Sequence, residues 1–134
     1  MYRNVYQDIS PNELKSELVS NPKSFVESLS KIFAYIEEYY QQKITLDDIA
    51  RHMGFNAQYF SRYFKRLTGQ TFVTFLNDYR LNKAKWLLLN EDLPIIEVAE
   101  QAGFSSVKTF HHLFKTKFGT SPLKYKKSKY GNNI

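Results

Sequence analysis

The chain is expected to be all-α, with two helix-turn-helix units joined by one long central helix. Three observations predict this. Thr71–Asn90 runs 20 residues without Gly or Pro, enough for about five to six helical turns. Its apolar residues change sides along the way: Phe72, Phe75, Leu76 and Tyr79 share one face, whereas Leu81, Ala84 and Leu88 lie well round the cylinder. Finally, an Ala-x-x-x-Gly-Phe corner stands on both sides of that stretch, at Ala50…Gly54-Phe55 and at Ala99…Gly103-Phe104, an offset of 49 residues. A helix apolar on different sides in its two halves has a different neighbour at each end. The repeated corner supplies both neighbours.

Taken in order, residues 1–24 read as an N-terminal extension or interdomain linker. Within it Ser10-Pro11-Asn12-Glu13 spells a helix start, with a Ser N-cap, Pro in the first turn and Glu closing a capping box, so a short helix is expected over Pro11–Ser20. A longer helix is expected over Ser24–Gln42, with Phe25, Leu29, Ile32, Phe33, Ile36 and Tyr40 on its buried face. Thr45 then caps a helix whose first turn carries Asp47 and Asp48, where the helix dipole favours negative charge. Ala50 is small enough for two helices to cross, and Gly54 tolerates the positive φ of a tight corner. Asn56 caps the next helix, Ala57–Leu67, which buries Tyr59, Phe60, Tyr63, Phe64 and Leu67 and closes at Gly69.

After the central helix the pattern returns. Pro94 to Phe104 repeats the corner, Ser105 or Ser106 caps a second aromatic helix, and Phe110, Phe114 and Lys115 answer Phe60, Phe64 and Lys65 at an offset of 50. One extra residue therefore sits in the second turn or helix start. Gly119 answers Gly69, and Thr120-Ser121-Pro122 opens a last short helix, Pro122–Lys127, before a polar tail at 128–134. The repeat divides the chain into a double helix-turn-helix domain over 25–127: a first unit at about 25–70, a linker helix at 71–90 and a second unit at 93–127.

Composition narrows the function. Hydrophobic residues make up 43% of the 134, enough to build a core, and there is no cysteine, which excludes disulfides and thiolate metal sites. No apolar run approaches membrane-spanning length and no signal peptide is visible, so a soluble, cytoplasmic protein with no membrane partner is expected. The net charge is +6, and its distribution is more telling than its size. Ile49–Asn77 contains no acid but holds Arg51, Arg62, Lys65 and Arg66. From Gln101 onward there is again no acid, against seven lysines. Two acid-free basic windows at equivalent places in a repeat point to two contacts with a polyanion.

These strings resemble the DNA-binding module of the AraC/XylS family of bacterial transcription regulators. The matching residues are Leu46…Ile49-Ala50…Gly54, Tyr59-Phe60-Ser61-Arg62-Tyr63-Phe64-Lys65…Gly69 and Arg80…Ala84…Leu87-Leu88, then Ile95…Val98-Ala99…Gly103-Phe104 and Phe110…Phe114-Lys115…Phe118-Gly119-Thr120-Ser121-Pro122…Tyr125. They span about Leu29–Lys127. The resemblance implies seven helices, with the second helix of each unit in a DNA major groove. A linker of about 19 residues is about 28 Å long, near the roughly 34 Å between successive major grooves on one face of the duplex.

Carried over by position, the resemblance gives base reading in the first unit to Gln58, Ser61 and Arg62, with Asn56 and Ala57 near phosphate at the helix entry. Arg62 can grip guanine and Gln58 adenine with two bonds each. In the second unit the positions are Val107, Lys108, Thr109, His111 and His112, and Lys65, Ser106 and Lys115 complete the DNA-binding set. His112 stands where the family commonly has Arg, and Thr109 where it commonly has an aromatic. Those departures leave the second unit either reading less tightly or positioning more than specifying. The implied partners are double-stranded promoter DNA and RNA polymerase, and the implied regulator is an activator. An effector would act only through a sensing domain preceding Met1, through which many family members also dimerise.

Rival readings carry less. His111 and His112 are adjacent on a helix and splay apart, and His52 lies elsewhere, so neither a metal nor another cofactor is expected. Glu37 and Glu38 cannot face a common point, and no catalytic constellation appears, so the chain is not read as an enzyme. The Phe and Tyr residues could serve as stacking platforms for single-stranded nucleic acid, but at helical spacing they read as core, with Tyr59 and Tyr63 the two to watch. The alternative function is a helical protein-interaction module whose basic surface meets an acidic partner without reading DNA sequence.

Overall fold

The structure, a computed structural model, describes residues 22–131, all of whose regular elements are helices. They are α1 (Pro22–Tyr39), α2 (Leu46–Met53), α3 (Ala57–Thr68), α4 (Phe72–Asn90), α5 (Ile95–Gln101), α6 (Val107–Phe118) and α7 (Pro122–Gly131). The helix expected over Pro11–Ser20, with the rest of the N-terminal extension, lies outside the described residues. The described chain divides into two compact units, residues 22–39 with 44–75 and residues 40–43 with 76–131. The first turn of α4 thus belongs to one unit and the remainder to the other.

In the first unit, α2 starts with a full capping box. The Thr45 hydroxyl accepts from the Asp48 amide at 3.0 Å, and the Asp48 carboxylate accepts from the Thr45 amide at 2.9 Å. Asp48 therefore does more than complement the helix dipole, because it also satisfies a backbone donor that the helix start would leave open. Thr45→Ala should cost about 1 kcal/mol in urea denaturation, the usual worth of an N-cap. Gly54 ends the helix at φ +78, and the Phe55 amide donates to the Ala50 carbonyl at 2.8 Å. The core gathers Ile32, Ile36, Ile49, Ala50, Phe60, Phe64 and Phe72, all at most 4% exposed. Phe64 meets Phe72 and Phe75 edge-on at 5.4 and 5.3 Å, which ties α3 to the start of α4.

Three local expectations are corrected. Phe33 is 43% exposed, with its ring 5.4 Å from Phe75. Ile32 and Ile36 take the buried stripe, and Phe33 stands about 100° from Ile32, at the rim. Helix α1 runs from Pro22 to Tyr39 instead of from Ser24 to Gln42. Just past its end the Tyr40 and Gln42 carbonyls accept from Arg80, at 2.9 and 2.7 Å. Last, α7 continues past Lys127 to Gly131, since no Pro or Gly intervenes to stop it.

The second unit repeats the corner bond for bond. The Phe104 amide donates to the Ala99 carbonyl as Phe55 does to Ala50, and Gly103 to Glu100 as Gly54 does to Arg51. Val98, Ala99, Ala102, Phe110 and Phe114 form the core with Leu81, Ala84 and Leu88 of α4. Leu81, Ala84 and Leu88 are the residues expected to point away from the first stripe of that helix. Lys126 of α7 bonds the Leu93 carbonyl at 2.7 Å and Asp92 at 3.3 Å, which fastens α7 to the loop before α5.

Residues 40–43 also belong to this second unit, although in sequence they precede the first corner. Besides the two Arg80 bonds, the Gln41 side-chain amide donates to the Gln101 carbonyl at 2.9 Å. Burial pulls the Arg80 guanidinium below its ordinary pKa. Gly103, at φ +97, packs so closely that a Cβ there would overlap the Tyr40 carbonyl oxygen and lie 2.9 Å from the Arg80 Nε.

Candidate nucleic-acid interface

The two corners each deliver a capped helix. The Asn56 side-chain oxygen accepts from the Tyr59 amide at 2.7 Å, and the Ser106 hydroxyl from the Thr109 amide at 3.1 Å. Ser106 is thus the cap, and Ser105 is the extra residue of the second copy, lodged between corner and helix. At the far ends the Gly69 and Gly119 amides donate to the Lys65 and Lys115 carbonyls, both at 2.8 Å. From cap to closing glycine, α3 and α6 match residue for residue at an offset of 50.

Each helix buries one side and exposes the other. In α3 the buried side is Tyr59, Phe60, Tyr63, Phe64 and Leu67. Tyr59 and Tyr63 are 3% and 6% exposed and stack on each other at 5.9 Å, with Phe55 against both. They are core, not platforms for bases. The exposed side carries Gln58, Ser61, Arg62 and Lys65, at the i, i+3, i+4, i+7 spacing of one face. In α6 the same stripe reads Lys108, His111, His112 and Lys115, all exposed around buried Phe110 and Phe114.

Neither helix contains an acid, and Arg62, Lys65, Lys108 and Lys115 have no ion pair among the described residues. The basic residues of each last turn face the negative end of their own helix dipole, which steadies them without neutralising them. Two cationic stripes, each displayed by a capped helix held behind a small-residue corner, are built to meet a polyanion.

The remaining sequence-predicted residues sit off those stripes. Asn56 is exposed with its oxygen committed to the cap, Ala57 is half-buried, and Thr109 is exposed one step from the α6 stripe. Val107 is half-buried and packs against the core of its unit. Arg66, exposed in the last turn of α3, is a cation that the sequence reading left out of the set. Its spacing of four from Arg62 was the available signal. Among the described residues no cluster of His, Cys, Asp or Glu is placed to hold a metal, and no helix is long and apolar enough to cross a membrane.

Fold and site together define the class: a double helix-turn-helix, DNA-binding regulator. A family model described as a helix-turn-helix domain matches residues 49–128, and the chain belongs to the AraC/XylS family of bacterial transcription regulators. It is 33% identical over 99 residues to the melibiose operon regulatory protein of Escherichia coli K12, covering 74% of this chain and 33% of that one. To the transcriptional activator RhaS of Escherichia coli O139:H28 it is 30% identical over 108 residues, 81% of this chain and 39% of that one. Among solved structures, the DNA-binding domain of AdpA in complex with a target DNA superposes with a TM-score of 0.74 at 26% identity, covering 78% of this chain and 95% of that one. The chain thus spans between a third and two fifths of the length of these curated relatives.

Proposed function

We propose that this chain is the DNA-reading part of a transcription activator, acting in the bacterial cytoplasm. It binds one particular double-stranded promoter sequence through α3 and α6 in successive major grooves, and RNA polymerase is recruited to the bound complex. The domain doing so comprises residues 25–127. The observation that carries this reading is the duplicated outward stripe, Gln58, Ser61, Arg62, Lys65 and Lys108, His111, His112, Lys115. The likeness to a domain seen with its target DNA supports it, and the likeness to an activator supports the direction of regulation.

Roles follow from residue chemistry. Arg62 reads guanine and Gln58 adenine, with Ser61 between them. Asn56, Ala57, Lys65, Ser106 and Lys115 hold phosphates, which set register without reading sequence. Lys108, His111 and His112 with Val107 and Thr109 form the second head, whose weaker donors suit positioning more than specifying. The heads differ, so an asymmetric site suits the chain and a palindrome is not required of a single copy. An effector would act through the part of the protein that the relatives have and this chain does not span.

A competition gel shift tests the proposal. Duplexes selected from a random pool should outcompete bulk DNA, and affinity should fall steeply with salt. A site with about 6–10 phosphate contacts loses about 10³–10⁵ in affinity between about 50 and 200 mM. Arg62→Ala should weaken the selected site by about 1–3 kcal/mol and relax choice at one base pair. An equal loss on every sequence would make Arg62 a phosphate contact. No preference among duplexes at physiological salt would favour the protein-interaction module instead.

A further inference from the structure

The second unit carries a surface hollow of about 590 Å³ away from the α6 stripe, lined by Tyr40, Gln41, Tyr79, Lys83, Trp86 and Gln101 among others. We infer that this hollow is a binding site for a compact aromatic monoanion, such as an arylalkanoic acid.

Three observations carry the inference. The lining is aromatic: Tyr79 and Trp86 come from one face of α4, Tyr40 from the segment opposite, and the Trp86 indole is 54% exposed. Sites of this volume that take small molecules are mostly apolar, with a few placed polar groups. Next, the hollow holds one cation and its position is set. The Lys83 ammonium lies 5.6 Å from the Tyr40 ring centre and 5.4 Å from that of Tyr79. Cation–π attraction holds it there, and no carboxylate pairs with it among the described residues. Finally, the wall opposite α4 is firm. Arg80 grips the Tyr40 and Gln42 carbonyls, Gln41 bonds Gln101, and Gly103 leaves room for that backbone to lie close.

The adjoining hollow sets the ligand's size. Gln41 and Gln101 also line a neighbouring recess that bears Glu97 and Glu100. An anion reaching across the two glutamines would meet those carboxylates and be repelled. A single negative charge on a small aromatic body fits beside Lys83. A polyphosphate or nucleic-acid strand does not.

Trp86 is the only tryptophan of the chain, so its fluorescence reports on this hollow directly. Phenylacetate, with the neutral phenylacetamide as its control, is the probe. Titrating the intact chain with phenylacetate should change Trp86 emission saturably at about millimolar concentration, the range open to a ligand of this size. The amide should bind about tenfold more weakly. Lys83→Met, which keeps most of the stem, should abolish that preference with the helical circular dichroism unchanged. Asn82→Asp, which adds an acid to the same lining, should weaken the acid and leave the amide unaffected. A linear, unsaturable response, or equal responses to acid and amide in the unsubstituted chain, would overturn the inference. So would an acid preference that survives Lys83→Met. DNA binding is not part of the readout, so the outcome is independent of the function proposed above.

Discussion

Gly103→Ala is expected to destabilise the second helix-turn-helix unit by about 3 kcal/mol or more, and Gly54→Ala by only about 1–2 kcal/mol. The two glycines occupy the same place in the repeated corner, at φ +97 and +78. An alanine at either position bears the left-handed backbone penalty. At Gly54 a new methyl group meets nothing within 4 Å. At Gly103 it would overlap the Tyr40 carbonyl oxygen, and that oxygen cannot swing aside because Arg80 and the Gln41–Gln101 bond hold its segment. Urea denaturation of the two variants isolates the difference, since the backbone term is common to both. Equal losses would mean that the Tyr40 segment yields easily.

Phe64→Ala should cost about 3–5 kcal/mol, the range for deleting a fully buried aromatic. Phe64 is 0% exposed and its ring meets Phe60 at 5.7 Å, Phe72 at 5.4 Å and Phe75 at 5.3 Å. It is therefore the joint between α3 and the start of α4. Phe33→Ala makes the matched comparison, since that ring meets Phe75 at 5.4 Å and is 43% exposed, and it should cost about 1 kcal/mol. Phe64→Ala should also abolish DNA binding near its melting temperature while leaving Gln58, Ser61, Arg62 and Lys65 chemically intact. A loss no larger than that of Phe33→Ala, by calorimetry, would show that α3 is held by something other than this cluster.

Much of both units was legible because it is written in short-range code. Thr45 and Asn56 announce helix starts, since a side-chain oxygen before a helix can satisfy its open amides and does so at 3.0 and 2.7 Å. Aromatics at helical spacing in α3 and α6 identified the buried sides, whereas the DNA-facing positions came from the resemblance to the AraC/XylS family. Where the apolar stripe was wider than the surface available to cover it, periodicity failed, and Phe33 went to the rim. Val107, expected at a base, is also half-buried against the core of its own unit, a placement that side-chain chemistry at a helix start does not reveal.

By itself the sequence determined the duplicated corner, its caps and closing glycines, the cationic stripes and, through them, the family. All of these depend on neighbours within about four residues or on a repeat visible in one line of text. Only the tertiary structure decided why Gly103 must be glycine, what Arg80 holds, and that residues 40–43 join the second unit instead of the first. Those outcomes rest on backbone carbonyls arriving from about 40 residues away in sequence at Arg80 and about 60 at Gly103. A carbonyl oxygen is the same in every residue, so no side-chain pattern can announce where it will be needed.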